Sequence, residues 1–140
     1  MKIAKFLEAQ DIISEVKYPG LESFPQYDVA KKVLRDYEGN FAPGFMIYFS
    51  INHESLEERK ELGKKMMNFI AKNSYCITLA VSLGQLRTLI EHPASMTHSA
   101  YPVEEQLEYG INPGGIRLAV GIENADDIIK DLQEALDYIS

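Results

Sequence analysis

The sequence has one cysteine, no tryptophan and no apolar run long enough to cross a membrane. Because Cys76 stands alone, an intrachain disulfide is excluded, and a reducing compartment is the natural environment. Residues 1–10 have neither the apolar centre nor the cleavage site of a secretory signal. We therefore expect a cytoplasmic protein without a membrane partner.

Basic residues are also scarce. Lysine and arginine number 14 against 21 acids, which gives a formal net charge of −7. Nucleic acids attract lysine and arginine through their phosphates, so this balance argues against a nucleic-acid partner. The acids are spread over helix-like segments such as residues 54–65 and 123–137, and are typical of solvated helix faces.

The length of 140 residues predicts a single domain over residues 1–140. Hydrophobic periodicity predicts helices at residues 3–9, after Pro25, at 55–72, at 102–110 and from an N-cap at Asn124. It predicts strands at residues 14–21, 45–51, 75–80 and 115–122, and a long loop at 82–102. The helix after Pro25 is expected to bury Val29, Val33 and Leu34.

Short strands among helices indicate an α+β fold, with helices on one face of a small, mostly antiparallel sheet. A doubly wound parallel sheet is the alternative, because helices and strands alternate along the chain. The sequence has no glycine-rich phosphate loop to accompany that fold.

Arg117 is the most informative single residue. In the segment GIRLAVGI, Ile116, Leu118 and Val120 share one strand face, and Arg117 shares the other with small residues. An arginine flanked in this way can lie at the floor of a recess and bind a carboxylate through two parallel hydrogen bonds. The alternative is an ordinary solvent-facing or salt-bridged arginine.

The histidines suggest two other kinds of site. His92 and His98 could bind a metal, but zinc needs three or four ligands and His53 is distant in the sequence. Glu91 and His92 near several hydroxyl residues could form a hydrolase triad, although there is no G-x-S-x-G motif. Hydrogen-bonded structural histidines are the favoured interpretation.

Three motifs occur in order towards the C-terminus: SLG at residues 82–84, EHPASMTH at 91–98 and RLAVGIE at 117–123. Together with YPGLESFPQYDVAKKVL at residues 18–34, they resemble the small C-terminal domain of the Cys/Met-metabolism, or trans-sulfuration, family of pyridoxal-phosphate enzymes. This family includes methionine γ-lyase, cystathionine γ-lyase and γ-synthase, and O-acetylhomoserine sulfhydrylase. The resemblance covers almost the whole chain and implies the α+β fold of that domain.

The resemblance also implies a set of substrate-binding residues. Arg117 matches the arginine that binds the substrate α-carboxylate, and Ser82 matches the serine beside it. Met96 and Thr97 match the loop that walls the substrate side chain. Val81 falls where γ-synthases and cystathionine γ-lyases often have glutamate, so the chain looks more like methionine γ-lyase or the sulfhydrylases. The implied substrates are sulfur amino acids such as methionine, homocysteine, cystathionine or O-acetylhomoserine.

One departure from the family pattern matters more than these matches. Family members bind pyridoxal 5'-phosphate through a lysine in an S-x-T-K segment of a larger N-terminal domain, and none of the ten lysines here follows that motif. We therefore expect no catalytic residue and no covalently bound cofactor in this chain, and no activity without a separate large domain. A non-catalytic module that forms homo-oligomers, or that regulates a full-length relative by docking on it, is the alternative.

Overall fold

The computed structural model describes all 140 residues as five helices and five strands. The helices are α1 (Lys2–Glu8), α2 (Tyr27–Val33), α3 (Leu56–Asn73), α4 (Val103–Glu108) and α5 (Ala125–Ile139). The strands are β1 (Ile13–Lys17), β2 (Met46–Ile51), β3 (Thr78–Leu79), β4 (Leu89–Glu91) and β5 (Gly115–Ala119). None of the helices is both long and apolar enough to span a bilayer.

The strands form one sheet in the order β1-β2-β5-β4-β3. Every neighbouring pair is antiparallel except β3 and β4, which are parallel. This arrangement confirms the α+β prediction and excludes a doubly wound parallel sheet.

The core lies between one face of the sheet and helices α1, α3 and α5. Alternate residues of β2 point into it, so that Ile47, Phe49 and Ile51 are buried. They belong to the same buried cluster as side chains from the three helices, among them Leu7, Met66, Ile70, Leu132 and Leu136. Since alternate strand residues point to opposite faces, the remaining residues of β2 and β5 lie on the other face.

Two helices begin at side-chain caps that follow from the sequence. The Ser55 hydroxyl accepts a hydrogen bond from the Glu58 amide at the start of α3, at 3.4 Å. At the start of α5, Asn124 Oδ1 accepts one from the Asp126 amide at 2.9 Å. The prediction of Asn124 as an N-cap is confirmed.

Two sequence predictions were wrong. Strand β4 lies inside the segment expected to be a loop, because three residues bounded by irregular chain carry too little periodicity to identify a strand. In α2 only Ala30 is buried, whereas Val29 and Val33 are 58% and 68% exposed. Helical spacing establishes which residues share a face, but tertiary packing decides whether that face is covered.

Candidate functional site

A row of polar side chains crosses the sheet face opposite the core. Lys17 pairs with Tyr48, Tyr48 with Arg117, and Arg117 with Glu91, so the four residues occupy facing positions on β1, β2, β5 and β4. Facing residues of adjacent strands project from the same side of a sheet, about 5 Å apart. We call these four residues the polar row.

Arg117 lies in the middle of β5 and its side chain is 29% exposed. Its Nη2 donates a hydrogen bond to the carbonyl oxygen of Ser82 at 3.1 Å and lies 2.5 Å from Glu91 Oε2. Its Nε and Nη1 make no hydrogen bond within the chain. The protein therefore holds Nη2, and the N–H groups of Nε and Nη1 remain for another acceptor.

Glu91, at the end of β4, is a carboxylate with a side chain only 3% exposed. Its Oε1 accepts a hydrogen bond from Thr97 Oγ1 at 3.2 Å, and its Oε2 faces Arg117. Thr97 Oγ1 also lies 2.9 Å from His98 Nδ1. A buried carboxylate needs a charged or hydrogen-bonding partner, and Glu91 has both.

His92 is fully buried and both of its ring nitrogens are engaged. Nε2 lies 2.7 Å from the Pro113 carbonyl and must donate to it, so Nδ1 accepts from the Ser95 hydroxyl, also at 2.7 Å. Burial lowers the pKa of His92 below its ordinary value. The neutral ring thus connects residues 92–95 to the segment that leads into β5.

This geometry removes the hydrolase alternative. The Glu91 carboxylate contacts Arg117 and Thr97, not His92, and the Nε2 proton of His92 is directed at a carbonyl. A catalytic triad needs a carboxylate behind the imidazole and a nucleophile in front of it. No group of three or more His, Cys, Asp or Glu side chains is arranged to hold a metal ion.

The substrate-binding residues expected from the sequence lie at different distances from the guanidinium. Ser82 contacts it, but through the backbone carbonyl rather than the hydroxyl. Thr97 is connected to it through Glu91. Met96 contacts the amide of His92 through its sulfur, at 3.5 Å, and Val81 is 55% exposed beside Ser82.

Sequence reasoning considered Glu91 only for a hydrolase triad and missed its contact with Arg117. Its role depends on the β4–β5 register, which places it opposite Arg117. The available signal was an acid directly after the apolar pair Leu89 and Ile90, since a buried acid at a strand end needs a cation nearby.

A cavity of about 310 Å³ lies beside the polar row, lined by Lys17, Tyr48, Pro93, Gly110, Ile111, Asn112 and Gly115. Burial, with a smaller effect from the charge of Glu15, raises the pKa of Tyr48 to about 12. The Tyr48 phenol is therefore neutral at physiological pH. Lys17 lies 5.4 Å from the centre of its ring and 3.2 Å from Glu15.

A covalent site for pyridoxal phosphate needs a lysine. Nine of the ten lysines of this chain lie on helices, and the tenth, Lys17, is paired with Glu15 two strands away from Arg117. No lysine is hydrogen-bonded or ion-paired to Arg117, Ser82 or Glu91. The residues around Arg117 fit recognition of an anion rather than attachment of an aldehyde cofactor.

Comparisons with known proteins agree with this architecture. The family model described as "Cys/Met metabolism PLP-dependent enzyme" matches residues 1–137. The chain is 47% identical over 137 residues to an L-methionine gamma-lyase of Porphyromonas gingivalis, an alignment that covers 98% of this chain and 31% of the relative. It is 41% identical over 136 residues to a cystathionine beta-lyase of Lactococcus lactis, covering 97% and 32%.

A solved structure shares the fold. Crystal structures of cystathionine gamma synthase from Xanthomonas oryzae pv. oryzae superpose with a TM-score of 0.73 at 31% identity, covering 98% of this chain and 32% of that one. The chain thus spans about a third of the length of these relatives, and the family they represent uses pyridoxal 5'-phosphate.

Proposed function

The chain belongs to the Cys/Met metabolism family of pyridoxal-phosphate-dependent enzymes, and from that premise we propose that residues 1–140 form the domain that recognises the α-carboxylate of a sulfur amino acid. Arg117 is the central residue of this function. Ser82 orients it through a backbone carbonyl, and Thr97 and Met96 belong to the neighbouring loop that walls the substrate side chain.

The observation that supports this proposal is that only Nη2 of the Arg117 guanidinium has a partner within the chain. Arg117 has two donors, Nε and Nη1, without an acceptor in the chain, on a side chain that is largely but not fully buried. Unpaired N–H groups on a charged guanidinium can donate charge-assisted hydrogen bonds to the oxygens of a carboxylate.

Membership of the family supports the reaction class that we propose. We propose that the domain acts with a pyridoxal-phosphate-binding domain, supplied by residues outside this chain, in γ-elimination or γ-replacement on substrates such as methionine, homocysteine, cystathionine or O-acetylhomoserine. Pyridoxal phosphate supplies the electron sink for that chemistry. The residues described here contribute binding and orientation of the substrate.

A hybrid enzyme tests the proposal. This chain would replace the matching 31% of the Porphyromonas gingivalis L-methionine gamma-lyase, to which it is 47% identical. In an active hybrid, Arg117→Ala should lower kcat/KM for L-methionine. The loss should correspond to about 2–4 kcal/mol of binding free energy, which is typical of a lost charge-assisted pair. Normal kcat and KM in the variant would refute the assignment of Arg117.

Arg35→Ala is the matched control, since it removes the same side chain from an exposed position bonded only to backbone carbonyls. If the hybrid were inactive, titration of the isolated chain with L-methionine would replace the kinetic test. The side-chain NMR signal of Arg117 Nε should then shift with ligand, and that of Arg35 should not.

A second function, a module for homo-oligomers or for docking on a full-length relative, is favoured by exposed apolar residues at one end of the sheet. Phe45, Leu86 and Ile122 are 42%, 74% and 78% exposed. They are held close together, because the Ile122 amide bonds to the Leu86 carbonyl and the Val120 amide to that of Phe45. Exposed apolar clusters often mark interfaces. Light scattering on the purified chain would test this, and a monomer at all concentrations that binds no relative would contradict it.

A further inference from the structure

Glu91 is buried directly against the guanidinium that the proposed function uses. We propose that Glu91 is a positioning residue for Arg117, which holds the guanidinium in the orientation that binds the substrate carboxylate. This inference rests on the proposed function, but it concerns a residue to which sequence reasoning gave a different role.

The first argument is the geometry of the pair. Glu91 Oε2 lies 2.5 Å from Arg117 Nη2, at facing positions of β4 and β5. The contact uses the Nη2 end of the guanidinium, the same end that donates to Ser82. A hydrogen bond to Ser82 and an ion pair with Glu91 at the same nitrogen restrict the orientation of the group and leave Nε and Nη1 without a partner in the chain.

The second argument is that Glu91 is itself fixed. Its side chain is 3% exposed and its second oxygen accepts from Thr97 Oγ1 at 3.2 Å. A carboxylate that is buried and bonded to Thr97 has little freedom to follow a mobile arginine, so it sets the position of its partner. Thr97 therefore extends the support from β4 into the 92–99 segment.

The third argument is electrostatic. Lys17, the only other cation of the polar row, is paired with Glu15, and no other cation contacts Glu91. Without Glu91, the unused charge of Arg117 would be held only by the Ser82 carbonyl, and its long side chain could take several rotamers. Substrate binding would then have to order the Arg117 side chain, and the entropy lost in doing so would weaken binding.

Two variants separate the charge of Glu91 from its ability to accept a hydrogen bond. Glu91→Ala removes both, whereas Glu91→Gln keeps an amide oxygen in the place of Oε2. In the active hybrid enzyme, Glu91→Ala should raise KM for L-methionine about tenfold with kcat changed less than about twofold, because ordering the arginine costs binding rather than chemistry. Glu91→Gln should recover a large part of the loss.

A readout without substrate keeps the two proposals apart. The heteronuclear NOE of the Arg117 Nε signal in the isolated chain should be high, and should fall in Glu91→Ala towards the values of exposed arginine side chains. Thr97→Val should produce a smaller fall in the same direction. Far-UV circular dichroism and thermal unfolding would confirm that each variant is folded before it is compared.

The outcomes are distinct. A rigid Arg117 in folded Glu91→Ala, or a KM that falls in that variant, would overturn the positioning role, the latter because Glu91 would then compete with substrate. If instead Arg117→Ala left KM unchanged while Glu91→Ala loosened the guanidinium, the carboxylate-binding function would fail and the structural support would stand.

Discussion

The α-carbon of Gly63, on helix α3, directly faces the imidazole of His92. A methyl group built at Gly63 would lie 2.5 Å from His92 Nε2 and 2.8 Å from its Cδ2. The absence of a side chain at Gly63 thus provides the space in which the histidine bonds to Ser95 and Pro113. A helix position that would ordinarily favour alanine is kept open for a buried polar group.

This contact predicts that Gly63→Ala will destabilise the chain. Alanine gains up to about 1 kcal/mol of helix propensity over glycine, but the overlap with a fully buried ring costs about 1–3 kcal/mol and breaks the bond to Pro113. We expect a net loss of about 1–2 kcal/mol in the free energy of unfolding by urea. Lys64→Ala, one residue on and exposed, is the control and should change stability by less than about 0.5 kcal/mol. A more stable Gly63→Ala variant would contradict this packing.

His92 also predicts a dependence of stability on pH. Burial holds its pKa in the folded chain below the value of about 6.5 that it has when unfolded. The unfolded state therefore binds the proton more readily, and stability is greatest above pH 6.5 and falls as the pH drops towards the folded-state pKa. Urea unfolding at pH 7.5 and 5.5 should show this fall. His92→Gln should reduce the difference, and His53→Gln, which leaves His92 in place, should retain it.

The environment of Asp131 predicts that stability also depends on pH in a more acidic range. Burial disfavours its charge, but hydrogen bonds from Ser74 and from the amides of Cys76 and Tyr75 outweigh burial, so its pKa is lowered overall. Its stabilisation is present above about pH 3.9 and is lost as the pH falls through the folded-state pKa. Asp131→Asn should cost about 1–3 kcal/mol at pH 7 and weaken the dependence below pH 4. Glu134→Gln, exposed on the same helix, is the control. An Asp131→Asn variant with the original acid profile would count against this assignment.

Cys76 should be chemically inert in the folded chain. Burial, together with a hydrogen bond to the Asp131 carboxylate and its charge, raises the pKa of the thiol to about 12. At pH 8 the thiolate fraction is then roughly one in ten thousand, and thiolate is the species that reacts. Labelling with iodoacetamide should be slow in buffer and fast in urea. Rapid labelling of the native chain would show that the thiol is more accessible than described here.

Gly115 and Tyr48 form a comparable pair on the open face of the sheet. A methyl group at Gly115 would lie 2.9 Å from Cζ of the Tyr48 ring and closer still to its hydroxyl. Gly115→Ala should therefore displace the ring and destabilise the chain by about 1–3 kcal/mol. In the Tyr48→Ala background the same change should cost much less, because the overlapping ring is gone. Equal costs in both backgrounds, measured by urea unfolding, would contradict the predicted contact.

The sequence was sufficient for most of the fold because the strongest elements have regular periodicity. Strand β2 shows alternate burial at Ile47, Phe49 and Ile51, and helix α5 begins at a recognisable N-cap. Strand β4 and the exposure of Val29 and Val33 were not predictable, since both depend on which surfaces meet in the folded chain. Local patterns do not contain that information.

In the candidate site, too, some features were predictable from the sequence and others were not. Alternation along GIRLAVGI placed Arg117 on the face opposite the apolar residues, as its position on β5 shows. Its partner Glu91 comes from another strand, 26 residues earlier, and is specified only by the β4–β5 register. A similar separation in sequence, 29 residues, hid the contact between Gly63 and His92.

Because β5 alternates strictly between its two faces, the position of Arg117 and the integrity of the core cannot vary independently. A slip of one residue in β5 would turn the guanidinium in among Ile47, Phe49 and the helices, and would expose Leu118 to water. Such a slip would bury an unpaired charge, so misregistered chains are strongly disfavoured during folding. A substitution that shifts the register of β5 would therefore disturb the core and the position of Arg117 together.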